Sequence, residues 1–317
     1  MAQSTLGAAT REAGVVLAAR GVGIESLLSS LPGVVVVAFA LLTQLGDVWF
    51  LTTVVTLLYW LGPDTPRLGA AVDRQRGARL LALLVLSIVV VAVLKPLLAF
   101  PRPPGAAVAP HADLVPGVLD GVYEWLSTSE SYGFPSGHAF GSTLVYGGLA
   151  WTITVGSRRS RAAFAAGMVV LLSVSRLVLG LHYLVDVLAG AAFGLVVLVV
   201  AMNLRIRDVF GLATVVGVVG AIAVEPSAKV LGAAGLATGC LLAWLLVDDS
   251  IQGRPSRASV RATVLMGAIS SGVLGVAVLP VRSEGAAVAL VALVGGVLVV
   301  AMPLVGERVT KTVSDGG

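Results

Sequence analysis

The chain has 317 residues, of which 57% are hydrophobic and only 12% are charged. A water-soluble domain carries about 25% charged residues and cannot bury this much apolar surface, whereas lipid covers the outside of a membrane protein. The composition therefore excludes a soluble fold. The net charge is +4, but the sequence has no basic stripe interleaved with aromatic residues of the kind that binds nucleic acid.

Residues 1–31 precede the first apolar segment. They contain Arg11, Glu12, Arg20 and Glu25 without a long apolar core before them, so no cleavable signal peptide is predicted. We interpret this stretch as an amphipathic or flexible lead-in.

About nine apolar segments follow, and most approach the roughly 20 residues that a helix needs to cross a bilayer. They cover approximately residues 34–61, 78–98, 138–156, 162–181, 185–203, 209–224, 230–247, 262–280 and 285–305. The first is long and has a predicted break near Gly46-Asp47. The pattern predicts an all-α fold, a polytopic bundle of membrane helices.

Basic residues are concentrated in alternate loops. If every segment crosses the membrane once, one side receives residues 63–79, 156–161, 204–208, 248–261 and the tail after 305. The positive-inside rule places that side in the cytoplasm. We therefore predict a multi-pass protein of the cell membrane whose long loop 99–137 faces away from the cytoplasm.

The first charged candidates for a site are Lys95, near the end of the second segment, and Arg102, which Pro103 follows. A charge inside a bilayer is costly, so an ionisable residue at the end of a span is a candidate for function. Lysine and arginine also stretch towards lipid headgroups without any such role. This pair by itself leaves both interpretations open.

The second candidate is the run Phe134-Pro135-Ser136-Gly137-His138, directly before a predicted span. Ser136 is a typical N-cap, and the helix start behind it offers unpaired N–H groups and a positive dipole end to an anion. Gly137 lets an anion approach the backbone, and His138 is placed to donate or accept a proton. The alternative is a capped helix with an incidental histidine.

The third candidate combines Ser175-Arg176 with His182 and Asp186. At the spacing i, i+4, His182 and Asp186 share one face of a helix. The carboxylate can fix the imidazole tautomer and leave the other nitrogen free to attack, while Arg176 can donate to two phosphate oxygens. The alternative is a structural His–Asp pair that covers a helix start.

The three segments lie at span ends on the same predicted side of the membrane. Together they offer three cations, two histidines, one carboxylate and a helix N-terminus. Because three unrelated structural explanations would have to coincide there, we predict one site that binds a phosphate group.

In these segments the sequence resembles the type 2 phosphatidic acid phosphatase superfamily, which includes vanadium haloperoxidases and glucose-6-phosphatases. The pattern Lys, six residues, Arg-Pro is matched from Lys95, Pro-Ser-Gly-His ends at His138, and Ser-Arg, five residues, His, three residues, Asp ends at Asp186. The resemblance covers roughly residues 34–203 and leaves out about the last hundred residues.

The resemblance implies a compact helical core and a two-step mechanism without metal or cofactor. His182 attacks phosphorus, Asp186 orients its imidazole, and His138 protonates the leaving oxygen and then activates water. Five residues are implied to hold the phosphate oxygens, namely Lys95, Arg102, Arg176, the Ser136 hydroxyl and the Gly137 N–H. The expected substrate is a lipid phosphate or diphosphate, phosphatidate-like or polyprenyl, reached among membrane lipids.

On this interpretation the chain divides into four parts: the lead-in 1–31, a catalytic membrane core 32–206, accessory transmembrane helices 207–306 and a cytoplasmic tail 307–317. A lipid phosphotransferase would use the same residues with an alcohol in place of water. A haloperoxidase is disfavoured because such enzymes are largely soluble. A transporter remains the alternative from another class, although the apolar segments after residue 208 carry almost no internal charge.

Overall fold

The structure is a computed structural model that describes residues 23, 28, 30–61, 72–247 and 256–315. Most of the lead-in predicted at 1–31 lies outside the described residues. Parts of the predicted basic loops 63–79 and 248–261 also lie outside them.

The described part of the chain is helical and contains no strand, which confirms the predicted all-α fold. The helices are α1 (Gly33–Leu42), α2 (Val48–Leu61), α3 (Arg74–Leu98), α4 (Asp120–Ser127), α5 (Gly137–Thr152), α6 (Arg158–Val178), α7 (Leu184–Met202), α8 (Ile206–Ala223), α9 (Ala228–Val247), α10 (Arg257–Val278) and α11 (Gly285–Asp315). Short 3-10 helices occur at Thr43–Gly46, Ala112–Leu114 and Gly117–Leu119.

Seven of these helices are long and apolar enough to cross a membrane, and the bent pair α1–α2 raises the number to eight. The predicted span 138–156 is different, because α5 has only 16 residues. At 1.5 Å per residue α5 extends about 24 Å, less than the roughly 30 Å hydrocarbon core of a bilayer. Most of α5 is buried among its neighbours, so its length need not match the lipid.

The break predicted near Gly46-Asp47 is confirmed. A 3-10 helix, Thr43–Gly46, separates α1 from α2, and the two helices meet at a bend of 42°. The hydroxyl of Tyr146 on α5 donates a hydrogen bond to the Leu45 carbonyl at 2.7 Å. The bend therefore lies against α5 rather than on the surface.

Helix α3 is the centre of the bundle and packs against α2, α5, α8 and α9. At its first turn the Arg74 guanidinium pairs with Glu307 at 2.5 Å. One turn later Arg79 donates to the carbonyls of Ala201 and Leu204, the latter at 2.9 Å. These contacts bring three of the basic segments to one end of the bundle, and the last turn of α3, with Lys95, points to the other end.

The C-terminal helices pack closely on one another and on α3. An added Cβ at Gly235 or Gly239 of α9 would lie 2.1 or 2.0 Å from the backbone oxygens of Ala289 and Leu293 in α11. Small residues spaced by four allow this approach of two helix backbones in a membrane. The accessory helices are therefore a packed part of the same bundle.

We expect the exchange Gly239→Ala to lower the thermal stability of the detergent-solubilised protein. The added methyl group overlaps the Leu293 carbonyl, and overpacking of this kind typically costs about 1–3 kcal/mol. Gly272→Ala on α10 is the matched control, because a Cβ at Gly272 meets nothing within 4 Å. Equal unfolding midpoints for the two variants would contradict the close contact of α9 with α11.

Candidate active site

His182 and Asp186 meet at the start of α7. His182 lies in the turn before the helix and not inside it, which differs from the predicted shared helical face. Asp186, in the first turn, reaches back and accepts a hydrogen bond from the Tyr183 N–H at 3.0 Å. The same oxygen lies 3.4 Å from Nδ1 of His182. The pairing arises because the helix start presents its carboxylate to the preceding turn.

Arg102 contacts the opposite side of the same imidazole. Its Nη1 lies 3.0 Å from Nε2 of His182 and also donates to the Leu181 carbonyl at 2.6 Å. Its Nε donates to the Ser131 carbonyl at 2.6 Å. Backbone carbonyls thus hold the guanidinium in place beside the histidine.

These contacts determine the protonation of His182. A guanidinium has only donors, so Nε2 accepts and Nδ1 carries the proton towards Asp186. Burial, followed by the charges of Arg102, Arg176 and Lys95, holds the pKa of His182 well below its ordinary value. Burial also lowers the pKa of Arg102 to about 10, which Asp186 opposes. At neutral pH the imidazole is therefore neutral and the guanidinium is charged.

Two further cations lie close to this pair. Arg176, near the end of α6, is buried, and its Nη1 donates to the Thr43 hydroxyl at 3.2 Å. Its Nε is buried without a hydrogen-bond partner. Lys95, near the end of α3, lies within electrostatic range of Arg102 and Arg176. Within the described residues neither Lys95 nor Arg176 forms an ion pair with a carboxylate, so this pocket favours an anion.

The start of α5 faces the cations. Ser136 is the N-cap, as predicted, and its hydroxyl accepts from the Ala139 N–H at 3.4 Å. The Ser136 side chain is fully buried, so it serves the helix rather than the cavity described below. A Cβ on Gly137 would stand 3.9 Å from Cε of Lys95, which places the bare backbone of the helix start next to the ammonium group.

His138 lies one residue into α5 and contacts the bend between α1 and α2. Its Nε2 is 3.8 Å from Oδ2 of Asp47, which is an ion-pair distance but too long for a hydrogen bond. Gly46 allows the approach, since a Cβ there would be 3.2 Å from Cδ2 of His138. The second histidine thus also has a carboxylate beside it.

Six of the eight predicted residues line one cavity of about 1750 Å³: Lys95, Arg102, Gly137, His138, Arg176 and His182. The other two, Ser136 and Asp186, are fully buried behind it. The two histidines therefore face a common space, at the end of the bundle opposite the Arg74–Glu307 pair. Such a space, with positive charge, a helix N-terminus and a neutral imidazole, can hold a tetrahedral oxyanion.

Sequence reasoning missed three contributors: Asp47, Thr43 and Ser131. Asp47 had a usable signal, because a carboxylate inside an apolar run is costly and therefore a candidate for function. Thr43 and Ser131 had none, since a single hydroxyl in such positions is common. Among the described residues no three His, Cys, Asp or Glu side chains are arranged to hold a metal ion.

Comparison with known proteins identifies a family for the central part of the chain. The model of the PAP2 superfamily matches residues 76–209, which supports the predicted superfamily. The matched range contains all eight predicted residues but neither Asp47 nor α9–α11. It begins later than the resemblance from residue 34 that the motifs predicted. No curated protein and no solved structure matches the chain.

We expect orthovanadate, a phosphate-like oxyanion, to raise the thermal unfolding midpoint of the purified protein. A ligand at 100 times its dissociation constant stabilises the state that binds it by about 2.7 kcal/mol. Arg176→Gln should weaken this protection because it removes a buried charge of the cavity. Arg158→Gln, at the exposed first residue of the same helix, should leave it unchanged. Equal protection of both variants would remove Arg176 from the anion site.

Proposed function

We propose, from the match of residues 76–209 to the model of the PAP2 superfamily, that the chain is a membrane-embedded lipid phosphate phosphatase. Superfamily membership supports a phosphatase-type phosphoester hydrolase. The finer proposal is hydrolysis of a phosphate monoester or diphosphate, phosphatidate-like or polyprenyl, through a phosphohistidine. The observation that carries it is the neutral His182, with Nδ1 towards Asp186 and Nε2 towards a cationic cavity.

In the first step Nε2 of His182 attacks phosphorus and the bond to the ester oxygen breaks. Nε2 contacts Arg102 at 3.0 Å. Phosphate oxygens are stronger acceptors than an imidazole nitrogen, so an incoming phosphate draws the guanidinium to itself and frees the Nε2 lone pair. The imidazole gains positive charge as the new P–N bond forms, and the carboxylate of Asp186 stabilises that charge.

His138 handles the proton in both steps. It gives a proton to the leaving oxygen, then takes one from the water that attacks the phosphohistidine. The P–N bond breaks and inorganic phosphate leaves. Asp47, whose Oδ2 lies 3.8 Å from Nε2 of His138, orients the ring, and the negative charge of a bound phosphate favours its protonated form.

The remaining groups hold the non-bridging oxygens. Arg102 and Arg176 offer forked donors, Lys95 a point charge, and the N-terminus of α5 at Gly137 a backbone N–H. The buried Nε of Arg176 without a partner fits this role, because a phosphate oxygen would complete its hydrogen bonding. These donors neutralise the charge of the phosphoryl group, so the proposed scheme needs no metal ion.

The position of the cavity supports a lipid substrate on the side away from the cytoplasm. It opens at one end of the membrane helices, where a headgroup can enter at the membrane surface while its hydrocarbon chain extends along the helices. The ion pair of Arg74 with Glu307 and the hydrogen bond of Arg79 to the Leu204 carbonyl bring basic segments together at the opposite end. The positive-inside rule assigns that basic end to the cytoplasm.

His182→Ala should abolish phosphate release from dioleoyl phosphatidate in detergent, a loss of at least about 10³-fold, since the nucleophile itself is removed. His111→Ala is the matched control, because His111 is exposed in the loop and does not line the cavity. The assay contains EDTA, so it also tests the metal-free scheme. Phosphate release by His182→Ala near the wild-type rate would contradict the role of His182 as the nucleophile. Formation of a phosphorylated alcohol when an alcohol is added to the assay would indicate a phosphotransferase.

The proton role of His138 predicts a dependence on the leaving group. His138→Ala should lower kcat/KM for an alkyl phosphate by about 10²-fold or more. It should lower kcat/KM for p-nitrophenyl phosphate much less, because nitrophenolate leaves without protonation. Asp47→Asn should show the same selectivity in milder form, measured with the same two substrates. Equal losses for both substrates would argue against a proton transfer by His138.

A further inference from the structure

The cavity that contains the two histidines is not confined to the residues that match the superfamily. Its wall continues onto the accessory helices, where it is lined by Lys229, Gly232 and Leu236 of α9 and by Val288 and Ala292 of α11. Lys229 lies within electrostatic range of Lys95. The rim also carries Arg282 and Glu225. The accessory helices thus supply a second wall of the proposed site.

Away from the cations this wall becomes apolar and leads into a second space. A groove of about 340 Å³ lies between α2, α10 and α11, with Trp60, Ser271 and Gly275 in its lining. Four residues line both spaces: Leu236, Val278, Val288 and Ala292. The groove therefore adjoins the catalytic cavity along the membrane helices.

The far end of the groove is closed by Trp60. Its indole Nε1 donates to the Val299 carbonyl at 2.9 Å, and a Cβ on Gly267 of α10 would lie 2.2 Å from the ring. Helices α2 and α10 therefore touch at this level. Between Val288 and Val299 the groove extends about 16 Å along α11 at 1.5 Å per residue.

We propose that this groove binds the hydrocarbon chain of the substrate and that the accessory helices thereby set the preference for chain length. The inference rests on the proposed lipid phosphatase function and deepens it. The chemistry of the two ends requires one molecule with an anionic head and an apolar tail. The head lies among Lys95, Arg102 and Arg176, and the tail runs past Ala292 towards Trp60.

The lining that the groove shares with the catalytic cavity distinguishes the substrate chain from other apolar occupants. A bystander lipid or a partner helix in the groove would have no reason to be coupled to the phosphate centre. A substrate chain is coupled, because each methylene group that moves from water into the groove adds to the binding of the reacting molecule.

The test uses the full chain in detergent with hexadecyl phosphate, hexyl phosphate and p-nitrophenyl phosphate. Gly275→Leu places a side chain in open groove space, since a Cβ there meets nothing within 4 Å. We expect kcat/KM for hexadecyl phosphate to fall at least about tenfold. We expect the values for p-nitrophenyl phosphate to stay within about twofold of wild type.

Gly272→Leu is the matched control on the same helix, because Gly272 lines neither space and an added Cβ there also meets open space. It should leave the preference for the long chain unchanged. Ala292→Phe, at the junction of cavity and groove, provides a second block and should also lower the ratio of hexadecyl to hexyl phosphate hydrolysis. Unfolding midpoints measured for all three variants separate these effects from misfolding.

The outcomes of this test separate the two proposals. If wild-type protein releases phosphate from none of the three substrates, the proposed function fails. If it hydrolyses them but Gly275→Leu and Ala292→Phe keep the wild-type chain-length preference, the phosphatase stands and the groove proposal is overturned. Loss of the preference in Gly272→Leu as well would also overturn it.

Discussion

The site depends on clustered positive charge that no carboxylate contacts directly within the described residues. Lys95 and Arg176 form no ion pair with a carboxylate within the described residues, and one buried nitrogen of Arg176 has no partner. Charges removed from water need a counter-charge, and a preorganised cationic pocket provides strong binding for an anion whose charge is developing. The Thr43 hydroxyl holds Arg176, and the carbonyls of Ser131 and Leu181 hold Arg102, before any anion arrives.

The two carboxylates near this charge contact the histidines rather than the cations. Asp186 lies beside Nδ1 of His182, and Asp47 lies beside His138. This arrangement keeps the cations available for phosphate and gives each imidazole its own orientation. The two side chains also differ in exposure: His182 is buried between Asp186 and Arg102, whereas His138 is partly exposed. On the proposed function, this difference suits His182 to attack and His138 to proton transfer.

The sequence predicted the helical class, the break at Gly46-Asp47 and eight residues that the fold brings to one end of the bundle. It did not predict the place of Asp47, because no local pattern shows that the 3-10 turn packs against α5. It overestimated the length of the helix predicted at 138–156, since hydropathy does not distinguish a helix surrounded by protein from one that contacts lipid. The sequence also did not predict that the Ser136 hydroxyl caps its own helix instead of facing the cavity, because that depends on the direction of a single side chain.

The accessory helices show how packing alone can create a groove that hydropathy does not reveal. Glycines at positions 235 and 239 draw α9 onto α11, and α11 then lies along the cavity wall. Helix α10 packs mainly on α11, and only 17% of its most apolar 18-residue stretch is buried inside the protein. Its small residues leave the groove open near Gly275, while Gly267 closes it against Trp60. On the proposed function, the pattern of small residues in α10 sets how far the hydrocarbon chain of the substrate extends along the groove.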